Sequence, residues 1–157
     1  MDDSLAPLTE LERAFLEALQ ARGVRFLVVG MSAALIQGVR GATEDIDLWF
    51  ERLSDPAIAE SARHVGGFVV TRTQPPLLGG VGDRFDVVTT MDGLPSFDDE
   101  YAGSVDVDLG VHVKVLPLRR ILVSKRAANR EKDRLPIEQI ERTLRVLDSL
   151  SDDESEA

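Results

Sequence analysis

A chain of 157 residues with 43% hydrophobic and 29% charged residues has the composition of one globular domain. Because it contains no cysteine, disulfides and thiolate metal sites are excluded. The net charge of −10 and the isoelectric point near 4.6 exclude a broad basic surface, so any nucleic acid would be held by a local cluster of cations. No secretory or membrane-spanning pattern is visible, and we expect a cytoplasmic protein that does not bind membranes.

The first half of the chain alternates helical and extended patterns. Thr9 and Glu12 form a capping-box pattern, which is typical of a helix start. The core face of this helix is predicted to consist of Leu11, Phe15, Ala18 and Leu19. The elements expected in this half are a helix from Thr9 to Gly23, a buried strand over Val24–Val29, a helix over Ser32–Gln37, a strand over Thr43–Phe50 and a helix from Pro56 to His64.

The second half predicts more strands and two closing helices. The expected elements are strands over Gly67–Thr73 and Arg84–Thr90 with a loop at Gln74–Gly82 between them, a hairpin of Val105–Leu109 and Val111–Leu116, a helix from Pro117, and a helix over Ile137–Leu150 with Ile140, Leu144 and Leu147 as its core stripe. The sequence therefore predicts an α/β (α+β) fold, a small mixed β-sheet flanked by helices, in one domain over residues 7–150. Residues 1–6 and 151–157 have the composition of disordered termini.

Two carboxylates carry the strongest chemical signal. Asp45 and Asp47 lie two positions apart on a predicted strand, so their side chains point to the same side of the sheet. Such acids repel each other, and a divalent cation relieves the repulsion because Mg²⁺ binds one or two carboxylates together with phosphate oxygens and water. The alternative for an Asp-x-Asp pair alone is a solvent-facing stripe on an edge strand.

The surroundings of this pair resemble a known family. A buried strand, Phe26-Leu27-Val28-Val29, ends at Gly30, a short helix of small residues follows, and Thr43-Glu44-Asp45-Ile46-Asp47-Leu48 comes next. This arrangement is similar to the core of the polymerase-β nucleotidyltransferase superfamily. Within it, the sequence most resembles minimal nucleotidyltransferases and the related abortive-infection toxins. The resemblance implies a nucleotidyltransferase fold in which Asp45 and Asp47 are catalytic metal ligands.

The turn after the first strand follows the family only in part. Glycine lets the backbone approach a phosphate, and amides at the start of the next helix can donate to it, so Gly30 is expected to bind nucleotide. The family has a second Gly or a Ser directly after the first Gly, where this chain has Met31. We expect Ser32, one position later, to supply the hydroxyl contact to phosphate. An ordinary strand-to-helix turn would require Gly30 equally.

The resemblance implies a third carboxylate on a neighbouring strand. Asp86 is the best candidate because it lies in the middle of a predicted strand among apolar residues, where an unpaired acid is costly to bury. Asp106 and Asp108 form a second Asp-x-Asp, which we interpret as the solvated face of a hairpin whose Val105, Val107 and Leu109 face the core. The expected metal and catalytic set is therefore Asp45, Asp47 and Asp86.

Basic residues near the C-terminus match a further family element. Lys125 lies on the apolar face of a predicted helix, and Arg130-Glu131-Lys132-Asp133 resembles the family's Arg-x-Lys-Asp turn. The resemblance implies that Lys125 and Lys132 bind nucleotide phosphates, whereas the alternative for Lys125 is extension of its ammonium to water. Trp49 and Tyr101 lack sequence neighbours for an aromatic stacking platform.

The resemblance implies a metal-dependent nucleotidyltransferase that uses Mg²⁺ or Mn²⁺. It would transfer an NMP from an NTP to an acceptor hydroxyl, on an RNA (tRNA) 3′ end or a protein side chain. Small bacterial members often work in toxin–antitoxin pairs, which implies a small helical partner protein. Two alternatives stay open: a catalytically weak binding module that acts as the antitoxin-like partner of a HEPN-type protein, and a plain metal-binding or structural α/β domain.

Overall fold

The computed structural model of the protein describes the backbone of residues 5–156 and the side chains of residues 5–152. Its helices are α1 (Glu10–Ala21), α2 (Gly30–Ile36), α3 (Pro56–His64), α4 (Phe97–Ala102), α5 (Leu118–Ala128) and α6 (Arg134–Glu156), with a 3₁₀ turn at Glu131–Asp133. Its strands are β1 (Phe26–Val29), β2 (Ile46–Phe50), β3 (Phe68–Val70), β4 (Leu77–Gly79), β5 (Phe85–Val88), β6 (Val105–Asp108) and β7 (His112–Val115). Of the predicted disordered ends, residues 1–4 and 157 lie outside the described residues.

A mixed five-stranded sheet organises the fold, with the strand order β5-β2-β1-β7-β6. The strand β1 runs antiparallel to β2 and parallel to β7, while β2 and β5 are parallel. The predicted mixed α/β class and the β6–β7 hairpin are therefore confirmed. In the described part of the chain, no helix is long and apolar enough to cross a membrane.

The central position of β1 follows from its composition. Every residue from Phe26 to Val29 is buried, because both faces of the strand are covered by core side chains. The helix α1 packs Phe15, Leu16 and Leu19 into the same core after starting at the predicted capping box. This packing makes the end of β1, where Gly30 begins α2, a fixed point in the middle of the sheet.

Several elements differ from the predicted ones. The segment Leu77–Gly79 forms β4, because it pairs with β3 inside a Pro- and Gly-rich stretch that predicts only a loop. The helix α4 was not predicted, since its six residues are too few for a clear periodicity. The helix α6 continues to Glu156, through a tail whose composition predicts disorder from Ser151, because extending an established helix costs less than starting one.

Three side chains that the patterns assign to the core are exposed. Leu11 is 39% exposed, Val105 is 40% exposed and Leu147 is 45% exposed. The strand β6 is an edge strand, which leaves Val105 at the margin of the sheet. In α1 the buried positions include Leu16 and Glu12 instead of Leu11, so this helix is rotated relative to the prediction.

A buried ion pair attaches α1 to the start of β5. Glu12 is 1% exposed and accepts hydrogen bonds from Arg84 Nε at 2.9 Å and Nη2 at 2.6 Å. Arg84 also donates to the carbonyl oxygens of Ala6 and Pro7 at 3.0 Å each. Burial acts to raise the pKa of Glu12, but hydrogen bonds from Arg84 and Thr9 and the charge of Arg84 outweigh it and lower this pKa. The pair therefore fixes the N-terminal segment against the strand that carries Asp86.

Replacing Arg84 with methionine should destabilise the protein strongly. The Arg84→Met variant leaves the Glu12 carboxylate buried without its partner, which costs about 3 kcal/mol of unfolding free energy at neutral pH. Because the pKa of Glu12 is lowered in the folded state, this difference from wild type should shrink as the pH falls through that lowered value. Urea unfolding at neutral and acidic pH measures both effects.

The control for this variant is Arg119→Met. Arg119 also forms an ion pair, with Asp148 at 2.5 Å, but both side chains are more than half exposed. An exposed pair contributes about 0–1 kcal/mol, so the control should remain close to wild type. Equal losses in both variants would contradict a special role for the buried pair.

Candidate functional site

Three carboxylates meet at one end of the strand pair β2–β5. Asp47 and Asp86 are register partners on these parallel strands, and Asp45 immediately precedes β2. The side chain of Asp45 lies within hydrogen-bonding reach of Asp86. The structure therefore brings together the three acids predicted from the sequence. Within the described ranges, no three His, Cys, Asp or Glu side chains are arranged as a group that could hold a metal ion.

The clustering raises the pKa values of two of these acids. Burial, followed by the charges of Asp86 and Asp45, raises the pKa of Asp47 to about 6, although Lys125 and Lys132 act to lower it. Burial and the proximity of Asp45 also raise the pKa of Asp86. Asp86 lies in mid-strand between the buried Phe85 and Val87, as expected, but its own side chain is exposed, and Asp47 is only half-buried. The site is an open cluster of like charges.

Gly30 is required at this site by Asp47 itself. A Cβ atom on Gly30 would lie 2.2 Å from Asp47 Oδ2 and 3.2 Å from its Cγ. The φ angle of Gly30 is +68°, a left-handed conformation that favours glycine. The carboxylate of Asp47 therefore occupies the space that a side chain at position 30 would fill.

Ser32 holds the strand that carries Asp47. Its side chain is fully buried, and its Oγ donates to the carbonyl oxygen of Val29 at 2.9 Å. The same Oγ accepts the backbone N–H of Asp47 at 3.2 Å. With its proton donated and its surface covered, this hydroxyl does not face the cavity. The expectation that Ser32 contacts phosphate is thus corrected: Ser32 joins the ends of β1 and β2.

A cavity of about 370 Å³ opens beside Asp47, and we call it the carboxylate cavity. Asp47 lies on one wall, and Lys125 and Lys132 lie on the wall formed by α5 and the following turn. The remaining lining residues come from the start of α2, the end of β5 with its turn, and α5 with its C-terminal turn: Val29, Gly30, Met31, Val88, Thr90, Met91, Asp92, Ile121, Ser124, Arg130 and Asp133. The predicted residues Gly30, Lys125 and Lys132 therefore meet Asp47 around one space.

Asp133 positions the basic wall of the carboxylate cavity. Its side chain is 2% exposed and accepts from Arg130 Nε at 2.7 Å, while Lys125 Nζ lies 3.5 Å away. Burial alone would raise the pKa of Asp133, but the hydrogen bond from Arg130 and the charge of Lys125 lower it. Lys125 is only 14% exposed, so it does not extend freely to water. Lys132 is exposed and has no ion-pair partner among the described residues.

The second Asp-x-Asp pair lies at the opposite edge of the sheet. Asp106 and Asp108 belong to β6, whereas the three clustered acids lie at the β5 edge. Both side chains are more than half exposed and are near His112, while Asp106 is also 3.8 Å from Lys114. The interpretation of this pair as a solvated face agrees with its position.

The sequence interpretation missed one part of the site region. The turn after β5 supplies Thr90, Met91 and Asp92 to the cavity, which only the tertiary fold brings near α5.

Trp49 and Tyr101 belong to an aromatic cluster outside this cavity. Both have Phe97 of α4 as a neighbour, with ring centroids 5.2 and 5.6 Å away. Since Trp49 is only 6% exposed, this cluster packs the fold and leaves no face of Trp49 open to a base.

Comparison with known proteins adds no assignment. No protein-family model matches the chain, and a search of the curated proteins finds no matching protein.

Neutralising Asp47 should stabilise the metal-free protein at neutral pH. The folded-state pKa of Asp47 is about 6, against 3.8 for an ordinary aspartate. The folded state therefore binds this proton more tightly, and wild-type stability falls as the pH rises from about 4 to about 6. The Asp47→Asn variant should gain about 2 kcal/mol over wild type at neutral pH and little at about pH 4, measured by urea unfolding in EDTA. The exposed Asp106→Asn serves as control, and an equal gain of Asp47→Asn at both pH values would contradict the argument.

Removing the Ser32 hydroxyl should loosen β2. In Ser32→Ala the backbone N–H of Asp47 loses its acceptor, at a cost of about 1–2 kcal/mol of unfolding free energy. Hydrogen exchange of the Asp47 amide should become faster, whereas the exposed Ser54→Ala should behave as wild type. Unchanged stability and exchange together with weakened nucleotide binding would instead indicate a direct phosphate contact.

Proposed function

We propose that this protein is a metal-dependent nucleotidyltransferase that transfers an NMP from an NTP to an acceptor hydroxyl. One observation carries the proposal: Asp45, Asp47 and Asp86 cluster, and Asp47 lines a cavity whose other wall presents Lys125 and Lys132. A scaffold gains nothing from three adjacent acids, because their repulsion destabilises the folded state. The arrangement suits a ligand that combines divalent cations with phosphates.

The three acids fit the expected Mg²⁺ or Mn²⁺. All of their donors are carboxylate oxygens, which hard divalent cations prefer, and burial together with mutual repulsion raises the pKa values of Asp47 and Asp86. When bound by Asp45, Asp47 and Asp86, the metal would supply charge neutralisation for the phosphate oxygens and the leaving pyrophosphate. The acids also differ in exposure to solvent, because Asp86 is exposed whereas Asp47 is half-buried and lines the carboxylate cavity.

The basic wall has the chemistry for the NTP phosphates. Lys125 is held within 3.5 Å of Asp133, so its ammonium is positioned before any ligand arrives. Lys132, which is exposed and unpaired within the described residues, supplies a mobile second cation. Gly30, which also lines the cavity, leaves room for the Asp47 carboxylate. These residues bind and orient the substrate opposite the acids.

We assign to Asp86 the role of accepting the proton of the acceptor hydroxyl. The exposure of Asp86 lets an acceptor approach from solvent, and a carboxylate in that position can accept the hydroxyl proton. The acceptor is an RNA (tRNA) 3′ end or a protein side chain. A cytoplasmic toxin–antitoxin pair with a small helical partner is the setting that the sequence resemblance implies.

A binding module with little turnover is the second candidate, as the antitoxin-like partner of a HEPN-type protein. The observation that favours it is the end of α6, where Leu147 is 45% exposed and Leu150 is 55% exposed. Neighbouring apolar side chains left in water on one helix are typical of a surface that a partner covers. Both functions share the fold, and only the enzyme depends on Asp86.

Label transfer from α-labelled NTPs separates the two candidates. In the presence of Mg²⁺ and a cell lysate, Asp86→Asn should transfer label at least about a hundredfold more slowly than wild type, the scale of a lost catalytic group. The protein should stay folded, because Asn is nearly isosteric with Asp and relieves repulsion. Asp106→Asn, which changes the same charge at the other edge of the sheet, should transfer label normally.

The enzyme proposal fails if wild type labels neither RNA nor protein under these conditions. If both wild type and Asp86→Asn still capture the same defined partner protein, the binding-module function would then be supported. Equal transfer by wild type and Asp86→Asn would remove Asp86 from the site while leaving the activity itself intact.

A further inference from the structure

A second cavity lies beside the loop between α2 and Asp45. It has a volume of about 500 Å³ and is formed by residues 38–40 and the middle of α6. We call it the arginine groove, and its lining residues are Gly38, Arg40, Gln139, Arg142, Thr143 and Val146. Two arginines thus face one groove from two separate segments of the chain.

These two arginines differ from most of the basic cluster between residues 119 and 134. There, Arg119, Arg120 and Arg126 each form an ion pair with an acid at 2.5 Å. Arg40 and Arg142 are exposed and form no ion pair within the part of the chain that the structure describes, although Glu138 lies one turn before Arg142. In a protein with a net charge of −10, two unneutralised guanidinium groups on one groove form a local anion-binding surface.

Only a thin partition separates the arginine groove from the carboxylate cavity. Gly41 forms its centre: a Cβ atom there would lie 2.6 Å from Met31 Cε and 3.3 Å from Gln139 Oε1. Met31 lines the carboxylate cavity and Gln139 lines the arginine groove. The same loop continues to Asp45, and a molecule in the groove would lie beside the carboxylate cavity.

We propose that the arginine groove binds a phosphodiester and the adjoining base of single-stranded RNA. Guanidinium groups donate paired hydrogen bonds to phosphate oxygens, and their planes stack on unpaired bases. Among the described residues, Val146 is the one apolar side chain in the lining of the groove, whereas a protein-binding groove would carry a larger apolar or aromatic centre. Given the proposed transferase activity, on which this step rests, the bound strand is the acceptor and its 3′ end reaches the neighbouring acids.

RNA binding without turnover tests the groove directly. Fluorescence anisotropy with a labelled single-stranded RNA, in EDTA and without NTP, compares wild type with Arg40→Gln/Arg142→Gln. We expect binding at least about tenfold weaker, and a log–log salt dependence less steep by about 1.4, which corresponds to two lost phosphate contacts on a single strand. The matched control is Arg63→Gln/Arg72→Gln, which removes the same charge from two exposed arginines outside the groove. Thermal unfolding measures whether both double variants are folded.

The outcomes distinguish the groove from the proposed activity. Asp45→Asn/Asp47→Asn should bind RNA as well as or better than wild type, because it removes nearby negative charge. If wild type transfers no label but binds RNA in a way that depends on Arg40 and Arg142, the transferase proposal is refuted and the RNA-binding role of the groove is supported. Absence of RNA binding by wild type at about 50 mM salt, or equal weakening in the groove and control variants, would overturn the groove. Label appearing only on protein, from an enzyme that binds no RNA, would overturn it as well.

Discussion

Repulsion among three adjacent carboxylates is the constraint around which this small fold is arranged. Asp47 lies against Gly30, while Asp45 is within reach of Asp86 on the neighbouring strand. Their charges and partial burial raise the pKa of Asp47 to about 6, so the ionised cluster opposes folding at neutral pH. The rest of the structure must therefore hold β2 and β5 in register against this cost. The fully buried β1, the Ser32 hydrogen bonds and the Glu12–Arg84 pair each do so from a different side.

The same constraint explains what could be predicted from the sequence. Strand alternation places Asp45 and Asp47 on one side, and the apolar run before Gly30 predicts the central strand; both are local patterns. Asp86 followed from the family resemblance, and the register of β2 with β5 brings it beside Asp47. The role of Ser32 could not be predicted, because its two partners belong to different strands. The Thr90–Asp92 wall was missed for the same reason, since only packing brings that turn to α5.

Charge is distributed unevenly over the surface, and this distribution limits where a polyanion can bind. Buried acids hold the basic side chains of α5 and the turn that follows it: Glu100 pairs with Arg120, and Asp133 pairs with Arg130 and Lys125. These pairs fix geometry, but they also cancel positive charge. The cations that remain unpaired among the described residues near the acids are therefore few, and their positions matter more than the size of the basic cluster. Lys132 faces the carboxylate cavity, and Arg40 and Arg142 face the arginine groove.

The structure gives a reason for a methionine at position 31, where the chain departs from the family pattern. The methyl group of Met31 and the side chain of Gln139 of α6 both lie close to where a Cβ atom of Gly41 would be, in the loop that connects α2 to Asp45. A Gly or Ser at position 31 would leave this loop without its apolar support. Because Met31 also lines the carboxylate cavity, one side chain forms part of that cavity and supports the partition beside it. The residue that replaces a phosphate-binding Gly or Ser in the family pattern thus supports the loop that separates a nucleotide from its acceptor in our proposal.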